Sequence, residues 1–490
     1  DIDIKLIWEL HRLQWLPNLA AFAVFENNYK IANEIIDIIC DYIHDHPLDT
    51  TVAWMEGIEV SLRSISIIET LEILSHIIDA DERIQRINTL LAVNGNWIMD
   101  NLSYKWRLNN NHLLIELIGL TVIGICLDWH KSSKKWFEKG FFGLNKELNS
   151  QIIQGRNWEP TTAYHRFVTE GILVLMNYLK KSEFIKYYDI SKIENYANEM
   201  MGNLNWISNR DGLMPLIGDD DGGYVITRGG LGGIGCKEIF DYAKQFDIAY
   251  TENLEGVKIW DEIGFGVIRK NNILVHCVSG APKGLAMQGS HRHLDMLSLS
   301  ITSNNNNIVY DSGTGVYFGS RLWRDYFRSE KNHSGIRSEI KPWAIMNDLF
   351  EIKGPPVGKM RKRGGRIIME CNHPSNNLQT REIEIEEFTI LIRDKINLEK
   401  AIITFLLDET AVIENEEGAL IIKGKGWTLT QNPSPTHINI RDELTNPEIS
   451  NPNEYTSTIS NSYGEFKKCI IFEMHHNKNS TVQTNIEINS

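Results

Sequence analysis

The sequence predicts an all-α half followed by an all-β half. Three observations carry this. Apolar residues recur at helical spacing through the first part of the chain, a glycine-rich break follows between Asp211 and Gly235, and strand-like alternation fills the remainder. The 490 residues exceed what one compact core serves, so two domains are expected, a helical one over 1–235 and a β one over 236–490.

The segment 31–44 places Ile35, Ile36, Ile39, Tyr42 and Ile43 on one helical face. Segments 54–64, 65–78, 84–99, 112–129, 163–179 and 193–207 follow the same period. Polar or proline breaks separate them, as at His46-Pro47 and Asn157-Trp-Glu-Pro160. Helical hairpins of this kind build a bundle, a solenoid or a toroid, and no fixed-period repeat marks a regular solenoid.

Two glycine-rich stretches, 216–223 and 228–235, lack the strand-loop-helix setting and the Gly-Lys-Ser/Thr of a phosphate loop. They read as a linker or the rim of a site. Beyond them, 265–278 resembles a hairpin turning at Asn271-Asn272, and 297–303 turns through four asparagines into Ile308-Val-Tyr310. Segments 381–396, 401–407, 411–423, 436–441 and 467–474 alternate as strands do. Many strands without long intervening helices imply an antiparallel sandwich.

No stretch is long and apolar enough to cross a membrane. The formal charge of -14 argues against a general nucleic-acid binder, which needs a basic face, but leaves an anionic substrate open because local fields decide that. The six cysteines lie far apart in mostly apolar runs without Cys-x-x-Cys, and read as buried thiols. The chain opens at Asp1 without a charged and apolar leader, which leaves a removed signal peptide and none at all equally open.

Chemistry-bearing residues gather in the middle. The motif Gly289-Ser-His-Arg-His-Leu-Asp295 is followed by Val309-Tyr-Asp-Ser-Gly313 and then Asn332-His333. On a strand, His291 and His293 would point the same way, one facing a substrate while the other helps hold a metal. Two imidazoles and a carboxylate suit zinc or a similar divalent ion, although a His-x-His pair on a surface strand is common without one. Two helix starts stand out as well. Asn111 reads as a cap with His112 in the first turn, and Tyr164 follows Glu159-Pro-Thr-Thr-Ala. Helix N-termini favour carboxylates, and a tyrosine near one should ionise more readily. Capping and plain packing are the competing readings.

This ordered set resembles the heparinase II/III type of polysaccharide lyase. The resemblance includes Ile7-Trp-Glu-Leu-His-Arg12, Trp54-Met-Glu-Gly-Ile-Glu-Val-Ser-Leu-Arg63 and Pro215-Leu-Ile-Gly-Asp219, and reaches Asn332-His333. It implies an incomplete α/α toroid joined to an antiparallel β-sandwich, with the site in the cleft between them. It also implies cleavage of an acidic polysaccharide by β-elimination. Asn111 and His112 then offset the charge of a uronate carboxylate as an enolate-like intermediate forms. Tyr164 corresponds to the family's catalytic tyrosine, as base or as acid. His291 corresponds to the histidine reaching in from the β domain. A structural zinc, or a similar divalent metal, falls to His293, Asp311 and His333, with Asp295 as the nearby alternative. Tyr317 and Arg321 are expected to line the cleft. The cluster Arg321, Arg324, Arg328, Lys331, Arg337 and Lys341 suits an anionic chain, whereas the basic stretch 359–366 fits a solvated hairpin end at least as well. A periplasmic or secreted location fits such chemistry.

Three other readings compete. A metal-dependent hydrolase would activate water at His291, His293 and Asp311, but leaves Asn111, His112 and Tyr164 without a task. A non-catalytic glycan-binding protein would be favoured had Tyr164 or His291 been replaced. A glycoside hydrolase needs a carboxylate pair, for which Glu116, Glu159 and Asp219 are candidates.

Overall fold

A computed structural model describes residues 3–106, 109–226, 235–248, 254–280, 291–416, 419–447 and 449–489. Residues 228–234 of the second glycine-rich stretch, and Gly289 and Ser290 of the histidine motif, lie outside the described residues.

The helical half runs Ile4–His11, Leu16–Phe25, Tyr29–Asp45, Gly57–Leu74, Glu82–Asn101, Asn111–Cys126, Ser133–Gln151, Thr162–Lys181 and Ser191–Ile207. Gly57–Leu74, Asn111–Cys126 and Thr162–Lys181 are buried nearly all round, which places them inside the helical layer. Asn111–Cys126 packs on both of the others and on Ser133–Gln151. Segments 54–64 and 65–78, separate by periodicity, prove to be parts of one helix, Gly57–Leu74. Its serines fold into the helix instead of breaking it, since Ser64 and Ser66 donate to the carbonyls of Val60 and Leu62 at 2.7 and 2.9 Å. The apolar period gave no helix at Ser133–Gln151, which Gly140 and Gly143 punctuate. Gly140 serves close packing there, because a Cβ on it would stand 2.3 Å from Thr121 Oγ1. A further short helix, Lys237–Ala243, buries Ile239, Phe240 and Ala243 in the same helical core.

Among the described residues, the β half is built on two large antiparallel sheets, one of eight strands and one of nine, with two small two-stranded sheets beside them. The larger begins with Gly256–Trp260, Phe265–Lys270, Ile273–Val278 and Ser298–Ser303. Its strands are apolar on both faces for a definite reason. Ile268, Val275 and Cys277 pack in the core between the sheets, while Val267, Leu274 and Val278 pack in the helical core. Polar bonds reinforce that junction. Arg269 donates to the carbonyls of Asn205 and Ser208 at 2.7 and 2.9 Å, and His276 Nε2 lies 2.7 Å from Ile207 O, so both meet the end of Ser191–Ile207.

The hairpin at Asn271-Asn272 forms as expected, with φ of 50° and 63° at the two asparagines. Of the four asparagines after Ser303, only Asn304 and Asn305 turn, with φ of 47° and 65°, while Asn306 and Asn307 belong to the strand Asn306–Val309. Segment 381–396 is two strands, Asn377–Glu386 and Thr389–Ile396, reversing at Glu387 with φ 51°. Segment 411–423 divides into Val412–Glu416 and Ala419–Gly424, with 417–418 outside the described residues. The basic stretch 359–366 lies in the hairpin Gly358–Arg363 and Arg366–His373 at one sheet edge. Arg361 meets Glu370 there at 2.8 Å, and exposed charge of this kind keeps a bare edge from pairing with other chains. The expected fold class, a helical toroid followed by an antiparallel sandwich, is the one observed.

Candidate active site

His291 and His293 do not lie on a strand. His291 takes a left-handed turn, φ 61°, in the loop before Ser298–Ser303. The two imidazoles converge nevertheless, through a third residue. Nδ1 of His291 is 3.0 Å from Asp219 Oδ2, and Nε2 of His293 is 2.9 Å from Asp219 Oδ1. Asp219 comes from the first glycine-rich stretch, and its backbone N–H donates to His291 O at 3.0 Å. Gly218 makes that approach, with φ 68° and room for no side chain, since a Cβ would stand 2.5 Å from Pro160 O. Arg324, on the helix Arg321–Arg328, closes the group by donating through both Nη atoms, Nη2 at 2.6 Å from Asp219 Oδ2. Burial alone would raise the Asp219 carboxyl, but Arg324 and the hydrogen bonds from both histidines outweigh it and hold the group well below the usual carboxylate range.

Tyr164 stands in the first turn of Thr162–Lys181, where its N–H donates to the cap Thr161 Oγ1 at 2.9 Å. Its hydroxyl lies 2.9 Å from that of Tyr317, and its ring meets His291 edge-on at 4.7 Å between centroids. The Arg324 guanidinium sits over the Tyr317 ring, 4.8 Å from its centroid. The expectation that the helix start would make Tyr164 ionise readily is reversed. Burial, then Asp221 and Asp219, push the phenol well above its ordinary value. The helix dipole acts only near the backbone of the first turn, whereas the hydroxyl reaches toward acids.

The cap of Asn111–Cys126 is Asn110, whose side chain accepts from His112 N at 3.1 Å. Asn111 is instead the first helical residue, and its amide is committed to Glu159. Asn111 N donates to Glu159 Oε1 at 2.8 Å, and Nδ2 stands 3.0 Å from both carboxylate oxygens. Burial raises the Glu159 carboxyl above its usual range. His112 Nδ1 is 3.9 Å from Glu56 Oε2. Burial, and then the proximity of His291, push this imidazole down to about 4, so it is neutral near pH 7 and keeps one N–H to donate.

His293, Asp311 and His333 each offer a ligand atom within 4.8 Å of one another. His333 Nδ1 is 3.1 Å from Asp311 Oδ2. Among the described residues, His293 Nδ1, His333 Nε2 and Asp295 Oδ1 are buried with no hydrogen-bond partner. Buried orphaned nitrogens are costly and call for a partner. Two imidazoles with a carboxylate fit a zinc-like divalent ion, and the carboxylate that converges with them is Asp311, not the alternative Asp295.

The structure thus brings Asn111, His112, Tyr164, His291 and Tyr317 to one place, with the His293 triad behind His291. It does not bring Arg321 there. That residue is half exposed and pairs with Asp325 at 2.6 Å. The basic cluster around it is largely spent within the protein. Arg324 binds Asp219, Arg328 binds the carbonyls of Asp348 and Leu349, and Arg337 binds Glu473. Local reading missed Asp219 and Arg324 as the hub. The available signals were the glycine before Asp219 and the position of Arg324 in the basic cluster.

A helical toroid docked on an antiparallel sandwich, with tyrosine and histidine meeting where they join, defines a two-domain toroid–sandwich protein. The chain belongs to the heparinase II/III family. Residues 1–222 match the family described as Heparinase II/III N-terminus, and 253–459 match Heparinase II/III-like, C-terminal. The heparin-sulfate lyase of Bacteroides thetaiotaomicron is 22% identical over 364 residues, which are 67% of this chain and 51% of that protein. The heparin-sulfate lyase of Pedobacter heparinus is 22% identical over 354 residues, 68% of this chain and 52% of that protein. The chain therefore spans about half the length of the curated relatives it matches. Among solved structures, heparan sulfate lyase HepC from Pedobacter heparinus superposes with a TM-score of 0.67 at 18% identity, covering 100% of this chain and 78% of that one.

Proposed function

We propose that this protein is a polysaccharide lyase that cleaves a uronic-acid-containing acidic polysaccharide by β-elimination and leaves an unsaturated uronate end. The observation that carries this is the hydroxyl pair of Tyr164 and Tyr317, 2.9 Å apart, against the ring of His291. Membership of the family and the names of the two relatives support the same class of reaction.

The roles follow from the contacts. Asp219 accepts a hydrogen bond from the Nδ1–H of His291, which leaves the lone pair of Nε2 free to take the proton next to the uronate carboxylate. Tyr164, kept neutral by its surroundings, gives its proton to the leaving glycosidic oxygen. Asn111 and the neutral His112 donate to the substrate carboxylate as charge builds on it. Tyr317 holds the Tyr164 hydroxyl in place. A divalent ion at His293, Asp311 and His333, zinc by its donor set, would serve to fix the loop behind His291 and takes no part in these proton steps.

The test is ultraviolet absorbance during incubation with heparan sulfate, chondroitin sulfate and alginate, run beside Tyr164→Phe. A rise lost in the variant is the expected result. New reducing ends without absorbance would replace the lyase by a hydrolase.

A further inference from the structure

Glu159 has no task in the scheme above, yet it is wholly buried within the group that performs it. Its two oxygens take up the Asn111 amide, and its Oε2 lies 3.8 Å from His291 Nε2. Among the described residues, the groups facing it are Asn111, His291, Tyr164 and Asp221, and no guanidinium holds it, in contrast to Asp219 with Arg324. The open side of this group belongs to other residues. The side chains of His112 and His291 retain 31% and 10% of their exposure, while that of Glu159 retains none.

A uronate carboxylate entering on that open side meets two difficulties at once. It brings a second negative charge against a buried carboxylate, and it finds the Asn111 amide already occupied. One proton removes both. We propose that Glu159 takes up a proton from solvent when a uronate carboxylate binds beside Asn111 and His291, and thereby releases the Asn111 amide to the substrate. This rests on the lyase reading. The proton comes from the buffer and adds to a Glu159 oxygen, and no other covalent bond changes. A neutral carboxyl accepts more weakly than a carboxylate, so the Nδ2 donor is free to turn. Burial already favours the protonated form, so it works in the direction of the step.

Calorimetric titration of Tyr164→Phe, which binds without cleaving, tests the idea with oligosaccharides of heparan sulfate, chondroitin sulfate and alginate. Each is run in phosphate and in Tris, whose ionisation enthalpies differ widely. The expected result is a buffer-dependent heat corresponding to uptake of up to about one proton per site. It is absent from Tyr164→Phe/Glu159→Gln. Affinity of the protein that keeps Glu159 weakens by up to about tenfold per pH unit on the alkaline side, and that of the double variant stays flat. Binding without proton uptake in Tyr164→Phe alone overturns the proposal, as does equal uptake in both proteins. Binding to none of the three sugars overturns the lyase reading instead.

Discussion

Asp219 lies 3.0 Å from Nδ1 of His291 although 72 residues separate them, and that contact leaves Nε2 as the ring nitrogen turned away from this carboxylate. The carboxylate is kept ionised by Arg324 and is shared with His293, so one acid holds both imidazoles in place.

Asp219→Asn should therefore cost activity out of proportion to its size. The amide preserves shape, but it can present an N–H where His291 needs an acceptor, and the wrong tautomer leaves no lone pair on Nε2. A fall in kcat of about 10²–10⁴ is expected, with KM little changed. Arg324 is also left as a buried charge without its partner, so stability drops by roughly 3–5 kcal/mol. Steady-state kinetics beside urea unfolding checks both. Unaltered kcat would remove His291 from the chemistry.

The two tyrosines should separate. Tyr164→Phe removes the proton donor, and activity should fall by about 10²–10⁴. Tyr317→Phe removes only the hydroxyl that holds Tyr164, and a loss of about tenfold is expected from one neutral hydrogen bond. Initial rates of both variants on the cleaved polymer decide the order. Equal losses would mean that the pair acts as one proton-transfer unit.

Metal content gives an independent check on His293, Asp311 and His333. The purified protein should hold one divalent ion per chain by elemental analysis. His333→Ala should hold little. An ion present at about 100 times its Kd contributes about 2.7 kcal/mol, so chelation should lower Tm by roughly 3 °C for a chain of this length. A protein that purifies without metal and ignores chelators would leave the buried nitrogens to water.

Much of the fold was legible because its signals are local. The hairpin of Phe265–Lys270 and Ile273–Val278 follows from two apolar runs about two asparagines that tolerate positive φ, whereas which face meets the helical core does not, because both faces are apolar. The helix Ser133–Gln151 was not legible, because Gly140 answers to Thr121 on another helix and interrupts the apolar period for that reason. The site divides in the same way. His-x-His marked His291 and His293 by spacing alone. Their common partner Asp219, and Arg324, which is 105 residues from it, meet only through the closure of the fold. Local chemistry also gave the wrong sign for Tyr164, because its hydroxyl is set by Asp221 and Asp219 and not by the helix that carries it.

Glu116 supplies a prediction about pH that needs no substrate. It lies one turn beyond His112, wholly buried, and accepts from Ser103 N at 2.7 Å and from the Ser103 hydroxyl. That bond ties the segment leading into the helix start at Asn111. Burial pushes this carboxyl up from 4.5 to about 7, against the hydrogen bonds from Ser103, and Glu56 adds to the rise. The folded value exceeds the unfolded one, so below 4.5 both states are neutral and stability is complete. As pH climbs from 4.5 to about 7, the unfolded chain loses its proton first and stability drains away. Above that window the deficit levels at roughly 3 kcal/mol. Glu116→Gln stays neutral throughout. It carries a constant cost of about 1–3 kcal/mol because an amide N–H faces the Ser103 donors. The readout is therefore a slope. The unfolding free energy of Glu116→Gln minus that of the unsubstituted protein should rise by roughly 3 kcal/mol between about pH 4 and 8 in urea titrations. A flat difference would show that the Glu116 carboxylate is stabilised as an ion, and the two Ser103 donors would then outweigh its burial.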